Sequence, residues 1–146
     1  GVLMHIPDVA NAIKELSRVT CRGGVVVISE GNAYSLQAIS LRLLKRLLGK
    51  ERAKIKSTPA GLEFWEKTNT GDLMTRQANI QWIISEFAKH GLVLKLRTSG
   101  QFTELYTKLK SPILKKLIHT LNHIWFKYIK MASPAFANIL FFEKSN

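Results

Sequence analysis

Apolar residues recur at helical spacing in four segments of the chain. The first follows Asp8, a suitable N-cap, and its apolar positions lie three or four residues apart as far as Val19. The same spacing predicts helices in three later segments: residues 35–48, 76–90 and 111–130. In the second and the last of these helices, the arc opposite the apolar residues carries basic residues and no acid. The pattern therefore predicts four amphipathic helices, two of which have a basic face.

Short apolar runs separate the predicted helices. The run Val25-Val26-Val27-Ile28 has no polar alternation, which is typical of a strand buried on both faces, as in a parallel sheet. Together with two later runs it predicts strands at about residues 24–30, 92–97 and 136–142. Helices that alternate with strands predict an α/β fold, in which helices cover both faces of one sheet. Residues 50–75 are the least regular stretch, with glycine and proline as punctuation.

Composition limits the class of protein. The chain has 146 residues, enough for one domain, and its hydrophobic content of 46% is that of a globular protein. A single cysteine, Cys21, excludes a disulfide framework and fits an intracellular, reducing compartment. No apolar run reaches the roughly 18 residues that a membrane-spanning helix needs. We therefore expect a cytoplasmic protein, with the membrane periphery as a further option.

Charge adds a class of partner. The net charge is +12, from 22 basic and 10 acidic residues, and favours an anionic partner. A membrane surface or a phosphorylated ligand fits better than nucleic acid, which stays open. Seven basic residues and one acid, Glu51, lie between Arg42 and Lys56. One alternative for the whole chain is therefore a basic, non-enzymatic module that binds a membrane surface or RNA.

The segment from residue 2 to residue 30 carries a more specific pattern. Val2-Leu3-Met4-His5-Ile6-Pro7-Asp8 precedes the first helix, Leu16, Arg18 and Val19 end that helix, and Gly23-Gly24 begins the first strand. This pattern resembles the stretch that follows the fourth strand in class I S-adenosylmethionine-dependent methyltransferases. Gly91-Leu92 and the final apolar run also fit the family's later strands, the last of which is antiparallel and lies between its two neighbours.

The resemblance implies an incomplete Rossmann-like methyltransferase sheet. Residues 1–146 would be the C-terminal portion of one methyltransferase domain, with a helical lid or insertion at about residues 33–75. The family's glycine-rich turn and its ribose-binding acid are missing from the sequence. We therefore expect the main cofactor anchors to lie upstream and the chain alone to be inactive. The implied activity is methyl transfer from S-adenosyl-L-methionine to a small molecule or lipid, without a metal ion.

Ligands of open α/β sheets lie beyond the carboxyl ends of the strands, and the sequence contains two such ends. The resemblance assigns the first strand end to the cofactor, which would lie along the backbone of four residues: Gly1, Val2, Leu3 and Met4. His5 follows and is the candidate catalytic residue, because an imidazole can orient a substrate hydroxyl or act as a base. The alternative is that His5 only caps the turn before the helix.

The second strand end supplies candidate substrate-binding residues. Glu30, Asn32 and Tyr34 follow the first strand, where a carboxylate and an amide can bind a substrate amine or hydroxyl. The alternative is that they cap the next helix, since Asn is a good N-cap residue. In the family, insertions after this strand commonly form a lid, for which Trp65 and Arg76 are the candidates, together with Phe64.

Two further interpretations stay open. His119 and His123 lie four residues apart on one helix face, a zinc-like spacing, but the Glu of the metalloprotease motif is absent and a solvated surface is favoured. Another doubly wound enzyme, such as a nicotinamide-dependent dehydrogenase, is the second alternative to a methyltransferase, since both classes use a glycine-rich strand–helix turn.

Overall fold

The computed structural model describes residues 1–49, 55–69 and 71–145. The described residues form four α-helices: α1 (Val9–Val19), α2 (Leu36–Leu47), α3 (Ile80–Lys89) and α4 (Pro112–Ile124). They also form six strands: β1 (Val25–Gly31), β2 (Ile55–Thr58), β3 (Gly61–Thr68), β4 (Gly71–Ala78), β5 (Leu92–Gln101) and β6 (Ala137–Lys144). Short 3-10 turns cover Leu3–His5 and Leu105–Lys108, and a π-helical turn, Trp125–Ile129, extends α4.

The described strands form two antiparallel sheets of three strands each. The strand order is β1-β6-β5 in the first sheet and β2-β3-β4 in the second. Because β6 is antiparallel to both neighbours, β1 and β5 run in the same direction and end at the same edge. The sheets meet at that edge, where Asn32 forms a β-bridge with Ala78 and the Ala33 N–H donates to the Ala78 carbonyl over 2.9 Å.

Side-chain caps fix the starts of the helices. Asp8, Ser35 and Ser111 accept hydrogen bonds from the backbone at the starts of α1, α2 and α4. The Asp8 cap confirms the prediction, whereas Ser35 takes the place at α2 for which the sequence indicates Asn32. The predicted start of the third helix at residue 76 is wrong, because Arg76 lies in β4 and Asn79 caps α3. Within the described ranges, no helix is long and apolar enough to cross a membrane.

The hydrophobic core lies between two helices and one face of the first sheet. α1 contributes Val9 and Ile13, and α3 contributes Ile83 and Phe87, all of them buried. Phe87 stacks on Phe142 of β6 with the ring centroids 4.3 Å apart. The helical spacing of the apolar residues in α1 and α3 therefore produces the packing that it predicts.

The predicted helical insertion at residues 33–75 needs correction. Its first part is helical, as α2, but the described residues from Ile55 to Ala78 form the antiparallel sheet β2-β3-β4. The physical reason lies in the pairing of β3 with β4, which sets Glu63 opposite Arg76 and buries both. A charged pair at buried positions hides the strand alternation that would otherwise predict these strands.

The expected arrangement of the first sheet also needs correction. The strands lie near the predicted positions, and β6 is antiparallel between β1 and β5 as expected. However, Val25 and Val27 of β1 are exposed, so this strand is not buried on both faces. What these residues form is a mixed α/β arrangement of two antiparallel sheets and four helices.

Candidate functional site

A cavity of about 350 Å³ lies where the carboxyl ends of β1 and β5 meet β4 and the first residues of the chain. Its walls come from several segments: Gly1, Met4, residues 29–31, residues 75–77, Gln101, Glu104, Phe136 and Ala137. Open α/β sheets bind ligands beyond the carboxyl ends of their strands, and this volume suits a small molecule. We call this space the strand-end cavity and take it as the candidate functional site.

Glu30 supplies a buried carboxyl group to the strand-end cavity. It is the penultimate residue of β1, lies opposite Asn138 of β6, and is only 3% exposed. Burial raises the pKa of Glu30, and a hydrogen bond with the Leu3 backbone and the charge of the Arg76 guanidinium oppose that rise. A carboxyl group with a raised pKa can exchange a proton closer to neutral pH than an exposed one, which suits acid–base chemistry.

Glu104 supplies a second carboxyl group to the same cavity. Its backbone N–H donates to Oε1 of Gln37 over 2.8 Å, which holds it at the start of the turn Leu105–Lys108. Burial raises the pKa of Glu104, and the charge of Lys108 opposes the rise. Two carboxyl groups with raised pKa values in one cavity are typical of a functional site, and they favour a ligand with hydrogen-bond donors or positive charge.

Arg76 borders the strand-end cavity, but its guanidinium group is engaged within the protein. Nη1 donates to the carbonyl oxygens of Leu3 (3.3 Å) and Ile6 (2.9 Å), and Nη2 donates to that of Pro7 (3.0 Å). Nη2 also forms an ion pair of 2.8 Å with Glu63. Arg76 therefore positions the turn that carries the first residues of the chain, and only its buried Nε has no hydrogen-bond partner among the described residues.

Glu63 is held in its charged form by this arrangement. Burial on its own would raise the pKa of Glu63, but hydrogen bonds from Arg76 and Trp65 and the charge of Arg76 outweigh it and lower the pKa. The Trp65 indole N–H donates to Glu63 over 3.3 Å. The candidate lid residues Trp65 and Arg76 thus meet at Glu63, and of the two only Arg76 lines the strand-end cavity.

His5 lies beside the cavity walls and is not among the residues that line the cavity. Its side chain is exposed, and Nδ1 lies 3.0 Å from the carbonyl oxygen of Met74 in β4. Because a carbonyl oxygen only accepts, Nδ1 must carry the hydrogen, which leaves Nε2 of the neutral ring as the basic atom. The β4 backbone therefore fixes the orientation of His5 with one nitrogen available to a ligand.

A second cavity of about 460 Å³ adjoins the strand-end cavity on the other side of the chain start. The two cavities share Gly1, Ser29 and Glu30. Val2 and Leu3 line the second cavity, while Met4 lines the first. The four residues predicted for the cofactor therefore separate two cavities that meet at the end of β1.

Asn32 and Tyr34 lie away from the strand-end cavity. The Asn32 side-chain amide donates to the carbonyl oxygens of Ser133 (2.9 Å) and Ala135 (3.4 Å), and its Oδ1 accepts from the Tyr34 N–H. Asn32 therefore joins the end of β1 to the segment before β6, and Ser35, not Asn32, caps α2. Tyr34 is exposed and lines a smaller pocket of about 100 Å³ with Asn32 and Arg97.

Gln77, Gln101 and Glu104 are among the cavity residues that the sequence did not predict. Gln77 lies in the last part of β4, where the sequence predicts the start of a helix, Gln101 is the last residue of β5, and Glu104 follows it. The prediction ended that strand at residue 97, four residues before its observed end at Gln101. A strand that continues to the polar residues after Ser99 has Gln101 and Glu104 at or just beyond its carboxyl end. Open α/β sheets bind ligands at this place, so the length of the strand is the signal that points to both residues.

The other candidate groups stay outside the site. Cys21 is a free, exposed thiol. The His119 ring packs at a tilt of 39° against the Tyr106 ring with a centroid distance of 4.6 Å, and His119 and His123 are both exposed. Within residues 1–49, 55–69 and 71–145, no group of three or more His, Cys, Asp or Glu side chains is arranged to hold a metal ion.

Comparison with known proteins gives a likeness of structure without a likeness of sequence. No protein-family model matches the chain, and no curated protein matches it. The chain is similar to the structure of the CcbJ methyltransferase from Streptomyces caelestis, with a TM-score of 0.48 and 10% sequence identity. The match covers 99% of this chain and 53% of that one, so the chain spans about half the length of that protein. A likeness this weak establishes neither a family nor an activity.

Proposed function

We propose that this chain carries the acceptor side of an S-adenosylmethionine-dependent methyltransferase and that the strand-end cavity holds the methyl acceptor. One observation carries the proposal. The residues that the sequence resemblance assigns to the cofactor, Gly1 to Met4, and the acceptor-binding candidate Glu30 line two cavities that adjoin each other. These residues come from separate segments of the chain, and a methyl transfer requires their two ligands to meet.

The residues present fit one flank of the cofactor. A Cβ at Gly1 would lie 2.9 Å from Met4 Sδ and 3.3 Å from the Ser29 carbonyl oxygen, so the backbone here passes close to the end of β1. In the proposal, this bare backbone runs along the cofactor, which supplies the methyl group when it is bound. The glycine-rich turn and the ribose-binding acid of the family are not in this sequence, and we assign the opposite flank to residues upstream.

The protein's contribution would be alignment, desolvation and proton transfer. Glu30 is the first candidate to accept a hydrogen bond or a proton from the acceptor, because its carboxyl group faces the cavity and burial raises its pKa. His5 is the second candidate, through its free Nε2, since it lies outside the cavity lining. An amine or hydroxyl on a small molecule or lipid is the acceptor group that suits two carboxyl groups.

Calorimetry tests the proposal. S-adenosylmethionine is titrated into the chain extended by the coding sequence that precedes it, with a reduced nicotinamide dinucleotide as the comparison ligand. We expect saturable one-to-one binding of S-adenosylmethionine and none of the dinucleotide. Absence of S-adenosylmethionine binding by the folded, extended protein would refute the proposal, and dinucleotide binding would favour the dehydrogenase alternative.

A further inference from the structure

Most of the apolar arc of α4 and of the π-helical turn that extends it is exposed to solvent. Six large apolar side chains are exposed there: Ile113, Leu114, Leu117, Leu121, Ile124 and Tyr128. Ile113 is 80% exposed and Leu117 is 62% exposed, while Ile118 and Trp125 are half-buried and the Trp125 ring stacks on Phe102. None of the residues of α4 is buried, so the described part of the protein leaves most of this arc uncovered. A stripe of this kind marks an interaction surface.

α2 has the same character. Its predicted apolar arc consists of Leu36, Ile39, Leu43, Leu44, Leu47 and Leu48, and all six residues are exposed. Leu47 is 84% exposed. The only buried residue of α2 is Ala38, on the opposite side of the helix. The predicted spacing of apolar residues is therefore present in both helices, but most of these residues are exposed.

One residue connects the two helices. The Thr103 hydroxyl donates to Oε1 of Gln37 in α2. The Thr103 N–H donates to Oδ1 of Asn122 in α4 over 3.0 Å, and the Asn122 amide donates back to the Thr103 carbonyl over 2.8 Å. Both helices are thus tied to the segment after β5, beside the strand-end cavity. We call the exposed arcs of α2 and α4 and the cations beside them the α2/α4 surface.

The α2/α4 surface is positively charged. The sequence has no acidic residue between Glu30 and Glu51 or between Glu104 and Glu143, so both helices lie in acid-free stretches. Lys116 and Arg46 belong to the basic arcs of the two helices. Each lies three residues after an apolar residue, Ile113 or Leu43, and so stands at the border between the basic and the apolar arc.

A cluster of cations adds to this charge between α2 and the segment before α4. Arg42 and Lys45 of α2 and Lys108 of the turn Leu105–Lys108 line one small cavity of about 100 Å³. Glu104 is the acidic residue among its lining residues, and burial raises the pKa of its carboxyl group. The cluster lies on the Ala38 side of α2, opposite its apolar arc, and adds positive charge close to both helices, which an anionic partner would complement.

We propose that the α2/α4 surface docks the protein on an anionic lipid bilayer. Leucine and isoleucine side chains on one arc and cations beside it are the two features by which amphipathic helices bind the headgroup region of such a bilayer. A second copy of the chain would bring like charges together, which disfavours self-association through this surface. RNA would bind the cations, but nearly all the exposed apolar residues of this surface are aliphatic, with Tyr128 as the aromatic one, and bases stack on aromatic rings.

Vesicle flotation with the 146-residue chain tests the docking surface. Vesicles of phosphatidylcholine alone are compared with vesicles that contain about 30% phosphatidylserine, at about 0.1 M and about 0.5 M salt. We expect binding to the anionic vesicles only, weakened by salt. Equal binding to both kinds of vesicle, or to neither, would overturn the proposal.

Paired variants locate the surface. The double variant Lys116→Ala/Arg46→Ala should lower vesicle affinity about 25-fold, because the loss of each cation is expected to lower it about five-fold. Leu43→Gln with Leu117→Gln should lower it more than about ten-fold, because two leucines no longer enter the lipid. Two double variants serve as matched controls. Lys14→Ala with Lys67→Ala removes two cations elsewhere, and Val19→Gln with Leu73→Gln removes two apolar side chains elsewhere. All four residues are exposed, and both controls should leave vesicle binding unchanged. All variants are checked for wild-type circular dichroism.

Two results would assign the surface to another occupant. Light scattering that detects a dimer in the wild type and a monomer after Leu43→Gln with Leu117→Gln would make the surface an interface between copies. Binding of a single-stranded RNA oligonucleotide that is lost in Lys116→Ala with Arg46→Ala, with no vesicle binding, would make it an RNA surface. Either result overturns the proposal. The proposal is also overturned if the two double variants fold and bind vesicles as well as the wild type.

Discussion

Arg76 and Glu63 form an ion pair of 2.8 Å inside the protein, where their side chains are 3% and 8% exposed. The pair joins neighbouring strands of the second sheet, since Glu63 lies directly opposite Arg76 in the β3–β4 register. Through Arg76 it also reaches the backbone of Leu3, Ile6 and Pro7. One buried pair therefore holds the second sheet against the chain start that borders the candidate site.

The first prediction concerns this pair. Glu63→Gln removes the charge that compensates the buried guanidinium group, and the loss of one partner of a buried pair is expected to lower the free energy of unfolding by about 3 kcal/mol. Urea denaturation measures the change. The exposed residue of the same strand, changed as Glu66→Gln, should leave stability within about 0.5 kcal/mol of wild type. A cost below about 1 kcal/mol for Glu63→Gln would contradict a structural role for the pair.

Glu30 should make stability depend on pH in the opposite direction from Glu63. The pKa of Glu30 is raised in the folded state, so the folded state binds its proton more tightly and loses stability as the pH rises from 4.5 through the raised pKa. The pKa of Glu63 is lowered, so its contribution is present above 4.5 and is lost as the pH falls through the lowered pKa.

The test is the difference between wild type and Glu30→Gln. We expect the variant to gain stability relative to wild type as the pH rises above 4.5, because it avoids the cost of a buried carboxylate. Denaturation at a series of pH values measures this difference, and Glu66→Gln serves again as the control. A constant difference across the series would show that burial does not perturb the Glu30 carboxyl group.

Asn122 is expected to be a structural link between α4 and the end of β5. Asn122→Ala leaves the backbone N–H and carbonyl of Thr103 without their partner, which should cost about 1 to 3 kcal/mol. The exposed residue of α1, changed as Asn11→Ala, is the matched control and should have little effect. A double-mutant cycle with Gln37→Ala would give additive effects if the two helices were not coupled through Thr103.

Gly61 begins β3 where no side chain fits. Its φ is +140°, and a Cβ there would lie 2.1 Å from the Gln77 carbonyl oxygen. Gly71 has a similar φ of +130° but no atom within 4 Å. Gly71→Ala should therefore cost about 1 to 3 kcal/mol of backbone strain, and Gly61→Ala should cost clearly more because of the added clash. Equal costs in thermal denaturation would contradict the close approach of β3 to β4.

The sequence predicts the elements whose local signals agree with their packing. The helix start at Asp8 follows from capping chemistry, which involves only neighbouring residues, and Ser35 and Ser111 cap α2 and α4 by the same chemistry. β3 and β4 were missed because their buried positions include Glu63 and Arg76, and the partner that permits this burial lies on another strand. Charge pairing across strands is a tertiary effect that a one-dimensional pattern does not contain.

Burial of an apolar arc is equally a tertiary property. Spacing identifies α2 and α4 as amphipathic, but it does not decide what covers Leu43 or Leu117, and both are exposed. For the site, the rule on strand ends led to Gly1 and Glu30, which line the strand-end cavity. The same rule missed Glu104 because the end of β5 was placed too early.

The location of a bound cofactor analogue tests the central proposal most directly. The measurement is a crystal structure of the upstream-extended protein with S-adenosylhomocysteine, which has no methyl group to transfer. We predict that its sulfur lies against the backbone of Gly1 to Met4 and faces the strand-end cavity lined by Glu30 and Glu104. If the analogue binds elsewhere, or if its sulfur points away from the strand-end cavity, the result contradicts the proposed function.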